Sequence, residues 1–268
     1  MTRFADALTS MLHPGMALPP ALIQTFDWIE AQGWTISRGD APQDQGLHIY
    51  PPELVVDPAT SHAAFGGSPY GFSDHWETPD PAVDARVADI AETAGDGGRA
   101  ALWLDDTGKQ WFVHLGHDTL GTITDDPVVF LHFLAMGYPE PGALSRTDIT
   151  PLQAAQDYHG TDDLPPEDQP IAPQALQAFL AENFPRPAAQ TARDLGIADF
   201  SAYDDADSTD PFVRWVAEVT PPPPKRNWRI FRKSCAPSKG SICATTTALT
   251  RSCKRSAAYS QKRNATNR

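Results

Sequence analysis

The stretch Gly95–Tyr138 constrains the fold most strongly, because it predicts a β-hairpin followed by a buried helix. The runs Ala101–Asp105 and Gln110–Leu115 are rich in aromatic and aliphatic residues, and the segment Asp105–Gly108 is typical of a tight turn. Pairing residue 105 with residue 110 gives a hairpin that is apolar on both faces. We therefore expect the hairpin to lie inside a sheet that is covered on both sides.

The turn leaves two registers open for this hairpin. In the first, which we expect, Leu104 lies opposite Trp111 and Trp103 lies opposite Phe112. In the second, a bulge at Gly108 shifts the pairing by one residue and exchanges the two faces of one strand.

The predicted helix after the hairpin has recognisable ends. Asp126 suits the N-cap, Pro127 suits the first helical position, and Gly137 suits the position just past the last turn. Its apolar side chains form a wide stripe: Val129, Phe130, Phe133 and Leu134. We expect a buried helix that lies on the hairpin.

Weaker patterns predict the elements around this stretch. A helix is expected over Ala21–Gln32, extended segments over Trp34–Ser37 and Leu47–Val56, and a strand from Val87. Residues 57–81 are predicted to form one long loop. Further apolar or helical segments follow at Thr150–Tyr158, Pro173–Phe184, Thr191–Leu195 and Pro211–Val219.

Charge divides the chain at about residue 221. Residues 221–268 hold 12 of the 21 Lys and Arg residues and none of the 34 Asp and Glu residues, so residues 1–220 carry a net charge of −25. All three cysteines, Cys235, Cys243 and Cys253, lie in this basic tail. An acidic body without cysteine fits a reducing compartment, and we expect a cytoplasmic location.

These shifts predict three parts: an α+β domain over residues 1–140, a helical, Pro-rich extension over 141–220 and an irregular basic tail over 221–268. The tail has two interpretations, a disordered basic extension or the product of a reading frame lost near Lys225, and we prefer the second. The chain has no run of about 18 apolar residues, which predicts no transmembrane helix. Its N-terminus lacks the continuous apolar core of a secretory signal.

Three motifs occur in a familiar order. Leu18-Pro19-Pro20 precedes a helix that ends at Gly33, Gly95-Asp96-Gly97 precedes the hairpin Ala100–Gly116, and Asp125-Asp126-Pro127 opens the buried helix. Over about residues 16–140 this order resembles the SUKH superfamily, which comprises the Smi/Knr cell-wall-regulator family and its bacterial relatives.

The resemblance implies an α+β fold with a central mixed or antiparallel sheet and helices packed around it. It also implies a binding role, since bacterial members are commonly immunity proteins that neutralise toxin domains, often nucleases. It supplies no catalytic signature, and we predict no catalytic, cofactor-binding or metal-binding residues.

Candidate partner-binding residues lie on the predicted loops, where contacts with partners usually occur. They are Phe72, Asp74, Trp76, Glu77, Asp105 and Asp106. The open alternative is that they form solvated turns, with a loop aromatic packed inward.

Two possible metal sites have plainer interpretations. His114, His117 and Asp118 could serve as ligands, but residues three apart on a strand point to opposite faces, which favours a packed His114. Asp205–Asp210 begins like a calcium loop, yet Asp210 stands where the invariant Gly belongs, so a solvated acidic loop is expected.

The leading interpretation is a non-catalytic protein-binding module, an immunity or immunity-like protein that docks on a basic toxin domain such as a nuclease. Direct binding of nucleic acid or membrane is not expected. One alternative is a regulatory scaffold without a toxin partner. Another is a metal-assisted hydrolase that uses His114, His117 and Asp118.

Overall fold

The computed structural model describes residues 3–74, 78–116, 118–144, 146–202, 205 and 207–220. Its centre is an eight-stranded sheet in which every strand pairs antiparallel with the next one in the chain. The strands are β1 Thr35–Ser37, β2 Gln45–His48, β3 Ala64–Gly66, β4 Val87–Glu92, β5 Arg99–Leu104, β6 Gln110–Leu115, β7 Thr119–Thr124 and β8 Ser201–Ala202. The expected α+β class is confirmed, with an antiparallel sheet.

The described part of the chain has seven α-helices around the sheet. They are α1 Phe4–Thr9, α2 Pro20–Ala31, α3 Pro81–Asp84, α4 Pro127–Leu134, α5 Pro151–His159, α6 Gln174–Asn183 and α7 Pro211–Val219. Short 3₁₀ turns lie at Pro42–Asp44, Pro141–Ala143, Pro166–Asp168 and Ala192–Leu195. No helix among the described residues is long and apolar enough to cross a bilayer.

The expected hairpin register is wrong by one residue. Trp103 pairs with Trp111, and Leu104 pairs with Gln110. The cause is the turn, where the Asp105 N–H donates to the Lys109 carbonyl (2.9 Å) and Gly108 has a φ of +79°. The left-handed Gly108 just before β6 is the bulge of the second register described above. It places Trp103 and Trp111 on one face of the sheet.

Both faces of the sheet are covered, as the apolar hairpin predicted. One face, with Leu102 and Phe112, belongs to a large core that also includes residues of α1, α2, α4 and α6. The other face, with Trp103 and Val113, packs in a smaller core with α7. We call these the large-core face and the small-core face.

Helix α4 is confirmed as a buried helix on the hairpin. The Asp126 carboxylate accepts from the Val128 N–H (2.8 Å), and the Phe130 ring stacks on Phe112 with centroids 4.4 Å apart. The helix ends at Leu134, and Gly137 turns the chain with a φ of +83°.

Residues 141–220 are tied to the rest of the fold by two buried tyrosines. The Tyr50 hydroxyl donates to the Ile171 carbonyl (2.7 Å), and burial raises the pKa of Tyr50 to about 12. The Tyr138 hydroxyl donates to the Ile149 carbonyl (2.6 Å) and accepts from the Ala192 N–H (3.0 Å). This segment also supplies β8 to the sheet and α7 to its small-core face.

Other predicted elements vary in accuracy. The strand from Val87 and the helices α2, α5 and α6 are confirmed within one or two residues. The long loop expected over residues 57–81 is wrong in part, because it contains β3 and α3 begins at Pro81. The basic tail lies outside the described residues, and its two interpretations stay predictions.

Candidate functional site

Four of the six predicted partner-binding residues can be placed. Phe72 and Asp74 follow β3, and Asp105 and Asp106 form the turn between β5 and β6. Trp76 and Glu77 lie outside the described residues, so their predicted role stays a prediction.

Asp105 organises its own turn. Its carboxylate accepts from the Thr107 N–H (2.8 Å) and hydroxyl (2.6 Å), the Lys109 N–H (3.0 Å) and Trp111 Nε1 (3.0 Å). Desolvation acts to raise the pKa of Asp105, but these hydrogen bonds outweigh it and lower the pKa to about 2. The carboxylate is thereby committed to hydrogen bonds within the hairpin.

Asp106 is outward-facing and anchors an arginine. Its carboxylate accepts from Arg86 Nη1 (2.8 Å), and 83% of its side chain is exposed. Arg86 also donates from Nε to the Leu104 carbonyl (2.8 Å). Its guanidinium carbon lies 4.9 Å from the ring centroid of Trp215 and 5.9 Å from that of Trp103, within cation–π range.

Phe72 packs inward onto the same aromatic group. Its ring centroid lies 5.8 Å from Trp215 and 6.4 Å from Phe212. Asp74 accepts from the Gly71 N–H (2.7 Å) and closes the turn that carries Phe72. The structure thus joins Phe72 and Asp106 through one assembly, the arginine–aromatic cluster, which consists of Phe72, Arg86, Trp103, Phe212 and Trp215.

Three N–H groups of this cluster are buried without a hydrogen-bond partner among the described residues. They are Arg86 Nη2, Trp103 Nε1 and Trp215 Nε1. A buried donor without an acceptor costs about 1–3 kcal/mol. The cluster therefore buries large aromatic rings together with three N–H donors that have no acceptor among the described residues.

A polar cleft lies beside the cluster on β4 and β5. Arg99 Nη1 donates to the Asp89 carboxylate (2.5 Å) and to Ser68 Oγ (2.8 Å). Burial raises the pKa of Asp89, and Arg99 opposes that shift. Two open cavities of about 270 and 420 Å³ share this ion pair and Tyr70 in their lining.

The polar groups of this cleft bind one another. Ser68 Oγ accepts from Arg99 and from the Tyr70 N–H (3.1 Å), which fixes the loop over the ion pair. Sequence reasoning missed Arg86, Asp89 and Arg99. The available signal was that Arg86 and Arg99 are two of only nine basic residues before residue 221 and lie beside predicted strands.

His114 has the surroundings of a packed side chain. Its ring lies against Phe200 at a tilt of 34° with centroids 4.4 Å apart, and Nε2 hydrogen-bonds with Thr119 Oγ1 (3.0 Å). Burial lowers the pKa of His114 to about 3. His117 lies outside the described residues. Within the part of the chain that the structure describes, no three His, Cys, Asp or Glu side chains gather as a metal site.

Asp210 is not a solvated residue of an acidic loop, as was expected. It caps α7 by accepting from the Phe212 (2.8 Å) and Val213 (3.1 Å) N–H groups. It also accepts from the Thr122 N–H (2.7 Å) and hydroxyl (3.0 Å) of β7. One carboxylate thereby fixes α7 to the sheet.

The basic residues of the body are almost all held in ion pairs. Eight of the nine lie within 4 Å of a carboxylate: Arg3, Arg38, Arg86, Arg99, Lys109, Arg146, Arg186 and Arg193. Because residues 1–220 contain 34 carboxylates, these pairs leave a large surplus of negative charge.

Comparison with known proteins finds no family model, curated protein or solved structure that matches this chain.

Proposed function

We propose that this chain is a non-catalytic, immunity-like binding module that docks on a basic protein partner, such as a toxin domain. The observation that carries the proposal is the pairing of eight basic side chains within the body. The cations are held in internal ion pairs, so the net charge of −25 that residues 1–220 present to an external partner is negative. The resemblance of residues 16–140 to SUKH proteins supports the same role.

The mechanism is steric and electrostatic. A body of charge −25 attracts a basic protein from a distance, which raises the association rate and disfavours acidic competitors. A bound module would then cover the nucleic-acid groove of a nuclease partner. Asp106 remains a candidate contact because its side chain is 83% exposed even though it pairs with Arg86, whereas Asp105, Asp74 and Phe72 are engaged within their own turns and cluster.

The test uses the full chain and the product of the adjacent gene. We expect a stable complex and rescue of cells from that product's toxicity. The association rate should fall by about tenfold or more between about 0.01 and 0.1 M salt, as the Debye length shortens from about 30 to about 10 Å. Absence of both complex and rescue would reject the toxin-neutralising role. Binding without toxicity would favour the regulatory scaffold.

A further inference from the structure

A second surface, remote in sequence from the predicted loops, has the form of a docking groove. It is a cavity of about 680 Å³ between the end of α4, the start of α5 and helix α6. Two Pro-containing segments, at residues 169–172 and 186–190, complete its walls. Much of its lining is apolar, including Met136, Pro151, Leu152, Pro170, Ala181, Pro187 and Leu195.

Three polar side chains of the groove are held by partners within the fold. His132 Nε2 hydrogen-bonds with the Phe184 carbonyl (2.9 Å), and Gln177 Nε2 donates to the Ala135 carbonyl (2.8 Å). Arg186, the only Lys or Arg among the described lining residues, is paired with Asp126 at 2.7 Å. The groove therefore offers apolar contact, and its one cation is largely neutralised.

The segment that connects two walls of the groove, residues 153–168, is acidic, and we call it the rim. Between Arg146 and Arg186 the chain has no Lys or Arg and seven carboxylates: Asp148, Asp157, Asp162, Asp163, Glu167, Asp168 and Glu182. This acidic segment leaves the groove at Leu152 and returns to it at Gln169. It is held in place by the bond from Gln156 Nε2 to the Asp162 carbonyl (2.6 Å) and by buried Leu164.

Exposed apolar side chains lie next to these charges. Among the described residues, the large hydrophobic side chains left exposed are Val56, Tyr70, Leu152 and Tyr158, and two of the four lie on α5. Leu152 is 40% exposed and lines the groove, and Tyr158 is 71% exposed beside Asp157. Apolar anchors surrounded by charge are characteristic of protein docking sites.

We infer that this groove and its acidic rim form the docking surface for a basic segment of a partner protein that carries apolar anchor side chains. The inference rests on the proposed function and assigns its binding surface. The anchors fill the groove, while the Lys and Arg side chains of the partner meet the carboxylates of the rim. The acidic body of a second copy, residues 1–220 with a net charge of −25, fits poorly because it brings further carboxylates to an acidic rim.

The direct test uses three synthetic peptides as probes. The first places Leu and Lys on opposite faces of a helix, the second replaces each Leu by Ser, and the third replaces each Lys by Glu. Binding of each fluorescent peptide to the full chain is measured by anisotropy. We expect the Lys–Leu peptide to bind about tenfold or more tightly than either of the others.

Two variants with matched controls locate the binding. The groove variant combines Leu152→Ser with Ala181→Gln. Its control combines Val56→Ser with Ala31→Gln at two exposed positions. The rim variant combines Asp162→Asn, Asp163→Asn and Glu167→Gln. Its control neutralises three exposed carboxylates elsewhere: Asp40, Glu53 and Glu218.

We expect the groove variant to weaken the Lys–Leu peptide by about tenfold and the rim variant by about threefold or more, with both controls within about twofold of the parent. Circular dichroism checks that each variant folds. Equal losses of peptide affinity in the rim variant and its control would overturn the inference, because the peptide would then be attracted by the net charge of the body and not by the rim. Preference for the Glu–Leu peptide, or a dimer of this chain that the groove variant abolishes, would also overturn it.

The same variants separate this inference from the proposed function. If the adjacent gene's product binds the groove variant as tightly as the parent, the groove assignment fails and the immunity-like role stands. If that product does not bind at all while the Lys–Leu peptide binds in the groove, the toxin-neutralising role fails and the groove assignment stands.

Discussion

The two faces of the sheet are covered in different ways. The large-core face packs in one continuous core with residues of α1, α2, α4 and α6. The small-core face packs with the nine-residue helix α7 and with Phe72, and the arginine–aromatic cluster lies there. Several helices pack on the large-core face, whereas the cover of the small-core face depends on α7 and Phe72. We therefore expect single substitutions to act globally on the first face and locally on the second.

The largest effect is expected from Phe26→Ala on the large-core face. Phe26 is fully buried and makes edge-to-face contacts with Phe4 (5.0 Å) and Phe65 (4.8 Å). Loss of the ring should lower the free energy of unfolding by about 3–5 kcal/mol. Urea denaturation measures it, with Tyr70→Ala, an exposed aromatic, as the control. A loss below about 1 kcal/mol would mean that this face is no more cooperative than the other.

A smaller and more local effect is expected from Asp210→Ala. The substitution removes an acceptor for four donors at the junction of α7 and β7, which should cost about 2–3 kcal/mol. Hydrogen exchange should accelerate in α7 while α2 stays protected. Asp207→Ala, an exposed neighbour, is the control. Uniform acceleration in both helices would remove the proposed difference between the faces.

The pH dependence of stability tests the buried imidazole of the large-core face. Burial lowers the pKa of His114 from about 6.5 to about 3, so the folded state keeps the ring neutral. The unfolded state takes up the proton below about pH 6.5, and stability therefore falls as pH drops through that value toward 3. Between pH 7 and 5 the loss should be about 1–2 kcal/mol, at most about 1.4 kcal/mol per pH unit. His114→Gln should flatten this slope, whereas His159→Gln, at an exposed imidazole, should leave it intact.

The smallest effect comes from a matched pair on the small-core face. Trp103 and Trp111 are directly opposite on β5 and β6, but only Trp111 Nε1 has an acceptor, the Asp105 carboxylate. Trp111→Phe should cost about 1–2 kcal/mol, because it leaves that carboxylate one donor short. Trp103→Phe should change stability by less than about 1 kcal/mol, since the lost area is offset by removal of an unpaired donor. Equal losses in the two variants would show that the Trp103 N–H is satisfied in solution.

Local chemistry explains which elements were predictable. Helix α4 was identified because Asp126, Pro127 and a wide apolar stripe agree with one another. The register of β5 and β6 was not, because Asp105–Lys109 permits both a tight turn and a bulge, and only the left-handed Gly108 decides between them. Strand β3 is three residues long and shows no clear alternation, so its pairing with β2 and β4 depends on the rest of the sheet.

The candidate site depends still more on distant contacts. Asp106 meets Arg86 across twenty residues, and Asp210 meets Thr122 across 88. No local pattern specifies either pair. The sequence did not predict the groove either, because its lining combines residues of α4, α5 and α6 that are distant from one another in the chain. The acidic composition between Arg146 and Arg186 was the one property of that surface that the sequence displayed.

The ends of the sheet restrict how a partner can be recognised. Among the described residues, the outermost strands are β1, with three residues, and β8, with two. Edge strands this short offer too few free backbone N–H and C=O groups for a partner to add a further strand to the sheet. For the docking proposed above, side-chain contacts would therefore carry recognition, and point substitutions would retune its selectivity without disturbing the pleated scaffold.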